Sequence, residues 1–276
     1  MRVPRRVHVA VRGPVRSRVR AAQARHPALS PTTRPGPPDF VGIGAQRCGT
    51  SWWHSLIEQH PQVAPLGMGA KELHFFDEAW RADAGPVATA RLATAYAAQF
   101  RRRPGQVAGE WTPRYLLDPW AVPRLLSVAP QARLLVMLRD PVARFRSGLA
   151  HASKTRPTLG PDDVTAAYAR GLYAEQLARV LATAPREQVL VLQLEQCLAE
   201  PQRHLDHTFG FLGLEPHPVP AARESGSRNA AVTTTPVDPA LLADVREGYR
   251  EDVHRLVELA PGSIDVDLWP ETVEQR

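Results

Sequence analysis

Between Phe40 and Leu56 the chain reads FVGIGAQRCGTSWWHSL. A short apolar run, a glycine-bearing turn and a helix-like stretch follow one another with no spacer. That order commits the chain to an α/β arrangement more firmly than any other stretch does. Gly44 and Gly49 keep the glycine frame of the phosphate-binding pattern G-x-x-x-x-G-K-[ST], and Ser51 falls on its last hydroxyl position. The lysine position holds Thr50 instead, and a cation, Arg47, sits three residues earlier inside the loop. A loop that opens a helix points several backbone N–H groups one way, and the helix dipole reinforces them, so an anion fits there. Arg47 adds a full charge, and Thr50 and Ser51 add hydroxyl donors. A tight strand–helix turn without a ligand needs the same glycines, so the loop alone leaves function open.

The alternation continues downstream. Val107–Glu110, Leu134–Leu138 and Val189–Gln193 read as buried strands. Helices are expected over Thr50–His60, ended by Pro61, and over Ala88–Phe100, Trp120–Val128, Asp163–Ala184, Ala199–Leu212 (ended by Gly213) and Leu241–Leu259. Asp140 suits a helix cap and Pro141 a first helical position. On that helix Arg144, Ser147 and His151 form one stripe, expected to look outward, and Val142, Phe145 and Leu149 form the packing face. The predicted fold is α/β: one three-layer sandwich with a central parallel sheet, over residues 39–276.

Charge is divided unevenly along the chain. Of the 34 basic residues, nine arginines lie in residues 1–38, which contain no acid; the remainder sums to −3. The N-terminal segment is therefore expected to be a basic, disordered leader. Its composition loosely resembles a transit peptide, or an arm for an anionic membrane or nucleic acid. With Cys48 and Cys197 alone there is no disulfide framework and no C-x-x-C spacing for a metal, so no metal is expected. No apolar run approaches the length of a membrane span.

Two further stretches carry chemistry. Arg139 ends a buried strand and Ser147 lies two turns along the next helix, where both could reach a phosphate. Lys71–Asp77, KELHFFD, crowds Lys, Glu, His and Asp beside two aromatics. A glutamate held near a cation and a histidine is a plausible general base, and a capped surface turn would read the same way.

GAQRCGTSWW, KELHFFD, GEWTPRYL and LLVMLRDPVARFRSGLAH, followed by VLQLEQCLAEPQRHLDHTFGFLGL, resemble in this order the sulfotransferases that use 3′-phosphoadenosine-5′-phosphosulfate (PAPS). The nearest branch looks like the heparan-sulfate sulfotransferase domains and their bacterial relatives, over roughly residues 39–214. The resemblance implies a fold related to the phosphate-loop kinases. It implies that Arg47 meets the 5′-phosphate and the bridging oxygen, that Cys48, Gly49, Thr50 and Ser51 wrap that phosphate, and that Arg139 and Ser147 bind the 3′-phosphate. Glu72 matches the catalytic base, and His74 and Asp77 match residues near the acceptor. No metal takes part in this scheme. Trp111 stands where the heparan-sulfate enzymes carry an acceptor-linked lysine, and Ser51 where some relatives have arginine. Trp111, Tyr115, Phe75 and Phe76 are thus candidates for an aromatic acceptor pocket, or for core. Arg228 is a candidate to close over the nucleotide.

The expectation is a PAPS-dependent sulfotransferase acting on a hydroxyl or amine of a small-molecule, lipid or saccharide acceptor. No nucleic-acid partner is expected, and a cytoplasmic location is, because the Golgi anchor of the animal enzymes is missing. The alternatives are a magnesium-dependent nucleotide kinase on the same fold and a non-catalytic nucleotide-binding module.

Overall fold

The apolar runs line up side by side as a parallel sheet. A computed structural model describes residues 32–66, 71–77, 86–156, 158–220 and 237–272. The elements run β1 (Arg34–Pro35), β2 (Phe40–Gly44), α1 (Thr50–Ile57), β3 (Val63–Ala64), α2 (Pro86–Ala97), β4 (Arg101–Arg102) and β5 (Val107–Trp111). They continue with α3 (Ala121–Val128), β6 (Arg133–Leu138), α4 (Pro141–Ala152), α5 (Pro161–Ala169), α6 (Tyr173–Leu181), β7 (Val189–Gln193), α7 (Leu194–Ala199), α8 (Pro201–Leu212) and α9 (Pro239–Leu259). The main sheet has the order β3-β5-β2-β6-β7, and every pairing in it is parallel. β1 and β4 form a separate antiparallel ribbon, so paired structure starts upstream of the expected Asp39.

This order positions the site. β2 is central, with Val41 opposite Glu110 on one side and Leu134 on the other. The chain therefore extends the sheet first one way and then the other, and a crevice opens beyond the C-terminal ends of β5, β2 and β6. The glycine loop leaves β2 there, and α4 leaves β6 there. The strands are covered by a large apolar core, and Val142, Phe145 and Leu149 of α4 form a second cluster with Ala167, Val245 and Tyr249. The expected packing face of α4 is the one observed. Burying each such side chain is worth about 1.5–3 kcal/mol.

Two helix expectations change, and one open alternative resolves to core. The single helix expected over Asp163–Ala184 is two, α5 and α6, broken around Gly171. The Tyr249 hydroxyl donates to the Tyr168 carbonyl at 2.8 Å, and a Cβ on Gly171 would meet that hydroxyl at 2.4 Å. The same carbonyl accepts from the Gly171 N–H at 2.8 Å, so the long-range contact joins the turn that closes α5. The helix expected from Ala199 instead starts at Pro201, which cannot donate to a preceding turn. Trp111, Tyr115 and Phe76 are fully buried, so the aromatic acceptor pocket is not formed from them. The Trp111 indole packs on Gly42 and donates to the Gly44 carbonyl at 3.2 Å. The basic leader up to residue 31 and Arg228 lie outside the described residues. Among the described residues no helix is long and apolar enough to cross a membrane.

Candidate active site

The glycine loop enters α1 through Gly49, whose φ of 77° is left-handed and whose absent Cβ would meet Leu194 at 2.6 Å. Only glycine fits both conditions. Arg47 also has a left-handed backbone, φ 70°, and so does His74, φ 50°. Non-glycine residues held this way carry strain of about 1–3 kcal/mol and gather at functional sites. Both lie in stretches singled out by sequence.

A cavity of about 880 Å³ sits over the loop. Arg47, Thr50 and Ser51 line it from the loop, Glu72 from the connecting segment, and Arg139 and Ser147 from the end of β6 and from α4. The structure thus brings the predicted donor residues other than Cys48, and the predicted base Glu72, to one space, while His74 is not among the residues that line it. Arg47 Nε donates to the Ser147 hydroxyl at 3.2 Å. Burial lowers the Arg47 pKa, and the nearby charges of Arg139 and Arg144 lower it further. Guanidinium remains charged in proteins, so the loop end of the cavity concentrates positive charge.

Cys48 contributes differently from the other loop residues. Its side chain is buried, with Sγ 3.4 Å from the Tyr173 hydroxyl, and burial pushes the thiol up to about 11. Only its backbone is available to a ligand. Asp140 caps α4 as expected, accepting from the backbone N–H groups of Val142 and Ala143 at 2.9 and 3.1 Å. The outward stripe expected on α4 is corrected at one position: Arg144 is 0% exposed, while Ser147 and His151 are accessible, and all three line the cavity. The reason is the adjoining α5, whose Ala167 packs close to α4 at Gly148.

The KELHFFD segment is held from below. Its Leu73 N–H donates to Glu110 Oε2 and to the Thr112 hydroxyl, both at 3.1 Å. The Phe75 N–H donates to the Tyr115 hydroxyl at 2.7 Å. Glu110 also accepts from the hydroxyls of Tyr96, Tyr115 and Thr112 at 2.8, 3.1 and 2.5 Å. Burial raises the Glu110 pKa against the pull of these donors. This buried carboxylate, which sequence reading did not single out, is the anchor that sets the position of the segment.

Above the anchor the charged side chains pair among themselves. Glu72 meets Lys71 Nζ at 2.9 Å and His74 Nε2 at 3.2 Å, and His74 Nδ1 lies 2.5 Å from Asp77 Oδ2. Partial burial works to raise the Glu72 pKa, but hydrogen bonds from His74 and Lys71 outweigh it and hold it at about 2. Hydrogen bonds to Asp77 and Glu72 raise His74 to about 10. At neutral pH the segment therefore carries a glutamate anion and an imidazolium. Lys71 is the cation that the segment's sequence places beside Glu72, and it reaches further than the sequence shows. Its Nζ also donates to the Thr50 hydroxyl at 3.2 Å, which joins the KELHFFD segment to the start of α1. No regular spacing connects positions 50 and 71; only the topology brings them together.

Fold and site together define a class: an α/β protein with a cation-bearing glycine loop that opens a helix, further cations on the neighbouring strand–helix unit and a carboxylate on the same cavity. Comparison with known proteins makes this specific. A model of the Sulfotransferase family matches residues 38–218, more than half of the chain, and the chain belongs to that family. It is 31% identical over 207 residues to a heparan sulfate glucosamine 3-O-sulfotransferase 6 of Mus musculus, covering 69% of this chain and 57% of that protein. It is 28% identical over 198 residues to heparan sulfate glucosamine 3-O-sulfotransferase 3B1 of Homo sapiens, covering 64% of this chain and 46% of that one. The chain thus spans about half the length of these curated relatives. A sulfotransferase from Alicyclobacillus acidocaldarius superposes with a TM-score of 0.64 at 27% identity, over 84% of this chain and 98% of that one.

Proposed function

We propose that the protein moves a sulfuryl group from PAPS to a hydroxyl or amine of a small-molecule, lipid or saccharide acceptor. The observation that carries this reading is the placement of Glu72 in the same cavity as Arg47, Thr50, Arg139 and Ser147. Arg47 and the start of α1 meet the 5′-phosphate, and Arg139 and Ser147 meet the 3′-phosphate. The acceptor proton passes to Glu72 as the acceptor atom forms its bond to sulfur. The bond from sulfur to the bridging oxygen breaks, and its electron pair leaves on the 5′-phosphate of the bisphosphate product. Charge developing there is met by Arg47 and the helix terminus, as in phosphoryl transfer.

A carboxylate held at about 2 is a weak base for a hydroxyl. In this reading the acceptor takes over one of the hydrogen bonds from Lys71 or His74, and Glu72 becomes more basic as it is released. Trp111 offers no polar group to a sugar at the position where the heparan-sulfate enzymes carry lysine, so a heparan-type acceptor is not part of the proposal.

The test is calorimetric titration with 3′,5′-bisphosphorylated adenosine and, separately, with ATP and Mg²⁺. Tight binding of the bisphosphate and weak binding of ATP is the expected result. The reverse order would replace the sulfotransfer reading with a kinase.

A further inference from the structure

Arg144 is a fully buried cation whose three side-chain nitrogens, Nε, Nη1 and Nη2, all lack a hydrogen-bond partner among the described residues. A guanidinium keeps its charge in proteins, and a buried charge with no counter-ion is strongly unfavourable. Such a group calls for an explanation, and here its surroundings supply one. Arg144 lines the same cavity as Arg139, Ser147 and Arg47. The helix is bare where the guanidinium lies, since a Cβ on Gly148 would come within 2.5 Å of Nη2. Its aromatic and thiol neighbours, Tyr173, Tyr249 and Cys48, make hydrogen bonds to other groups.

We propose that Arg144 forms the inner wall of the 3′-phosphate subsite and binds that phosphate together with Arg139 and Ser147. The proposal rests on the PAPS reading above. A phosphate monoester presents several charged oxygens to the guanidinium fork and completes its hydrogen bonds. A nucleotide with a free 3′-hydroxyl leaves the buried charge unpaired. Arg144 therefore discriminates between the two, because the group left orphaned by the wrong ligand is the one hardest to leave unpaired.

The experiment compares Arg144→Met, Arg144→Lys and Gly148→Ala with the natural chain, by thermal melting and by titration with 3′,5′-bisphosphorylated adenosine, 5′-AMP and inorganic pyrophosphate. Ligand-free Arg144→Met should melt no lower than the natural chain, because an unpaired buried charge has been removed. Its affinity for the bisphosphate should fall by about 10- to 100-fold, the loss of one charge-assisted hydrogen-bonding group, with 5′-AMP affected less than about threefold. Arg144→Lys should recover part of the loss. If Arg144→Met does not fold, Gly148→Ala decides: it keeps the charge, displaces the guanidinium, and should reproduce the selective loss. Unchanged bisphosphate affinity, or equal loss for both nucleotides, overturns the assignment. Stabilisation of the natural chain but not of Arg144→Met by pyrophosphate, with neither nucleotide bound, would retain the anion subsite and discard the PAPS reading.

Discussion

Two stretches of this molecule carry most of its functional charge, and they treat it in opposite ways. Around the glycine loop and α4, Arg47, Arg139 and Arg144 gather on one cavity, and none forms an ion pair among the described residues. Along Lys71–Asp77, positive and negative groups alternate and each is matched by its neighbour. The first arrangement is open, and in the proposed function a ligand supplies its missing charge. The second is closed, and its protonation states are fixed before a ligand arrives. Under the proposed sulfuryl transfer, binding energy belongs to the first half and proton transfer to the second.

That division can be broken by mutation. The largest effect should come from Glu72→Gln, which removes the base and should lower turnover by about 10²–10⁴-fold. Affinity for the bisphosphate should stay within about twofold; a matching loss of affinity would mean that the two halves are not separable. Lys71→Met tests the link between them. It cuts the bonds to Thr50 and to Glu72, and turnover should fall by about 10²-fold because the base loses its position over the loop, which outweighs the gain in Glu72 basicity. Stopped-flow kinetics at saturating donor would measure it. Arg139→Ala should weaken the bisphosphate by about 10- to 100-fold and leave 5′-AMP nearly unchanged in titration, which sharpens the claim that this half only binds.

The smallest effect concerns stability. His74 has its pKa raised from 6.5 to about 10 by Asp77 and Glu72. Its contribution is complete below pH about 6.5 and is lost as the pH rises through about 10. The difference in melting temperature between the natural chain and His74→Ala should therefore be larger at pH 6 than at pH 10. It should be modest at both, because His74 is 45% exposed and water screens the pairs. A difference that grows with pH would show that the paired imidazolium is not what His74 contributes.

What could be read from the sequence was local. The loop reads from Gly44 and Gly49, the α4 cap from Asp140 and Pro141, and the central strand from LLVML, because each depends on neighbours within a few residues. Glu72, His74 and Asp77 do share one hydrogen-bonded cluster, and their spacing already suggested it. What escaped was set by packing at a distance. Arg144 falls on the stripe that periodicity assigns to solvent, and neighbours distant in sequence, α5 among them, bury it. The Glu110 anchor depends on Tyr96, Tyr115 and Leu73, which reach it from separate segments. The break between α5 and α6 depends on Tyr249, about 80 residues downstream, meeting Tyr168.

Asp140 does more than cap α4. It also accepts hydrogen bonds from the Glu271 N–H at 2.9 Å and from the Thr272 hydroxyl at 2.8 Å, and Arg146 of the same helix pairs with the Glu271 carboxylate. The helix carrying Arg144 and Ser147 is thereby fastened to residues translated some 130 positions later. During synthesis the glycine loop leaves the ribosome early, yet α4 and the cavity it lines stay unlatched until Glu271 and Thr272 have emerged. A nascent chain would present the arginines of that cavity long before the helix carrying Arg144 was fastened in place.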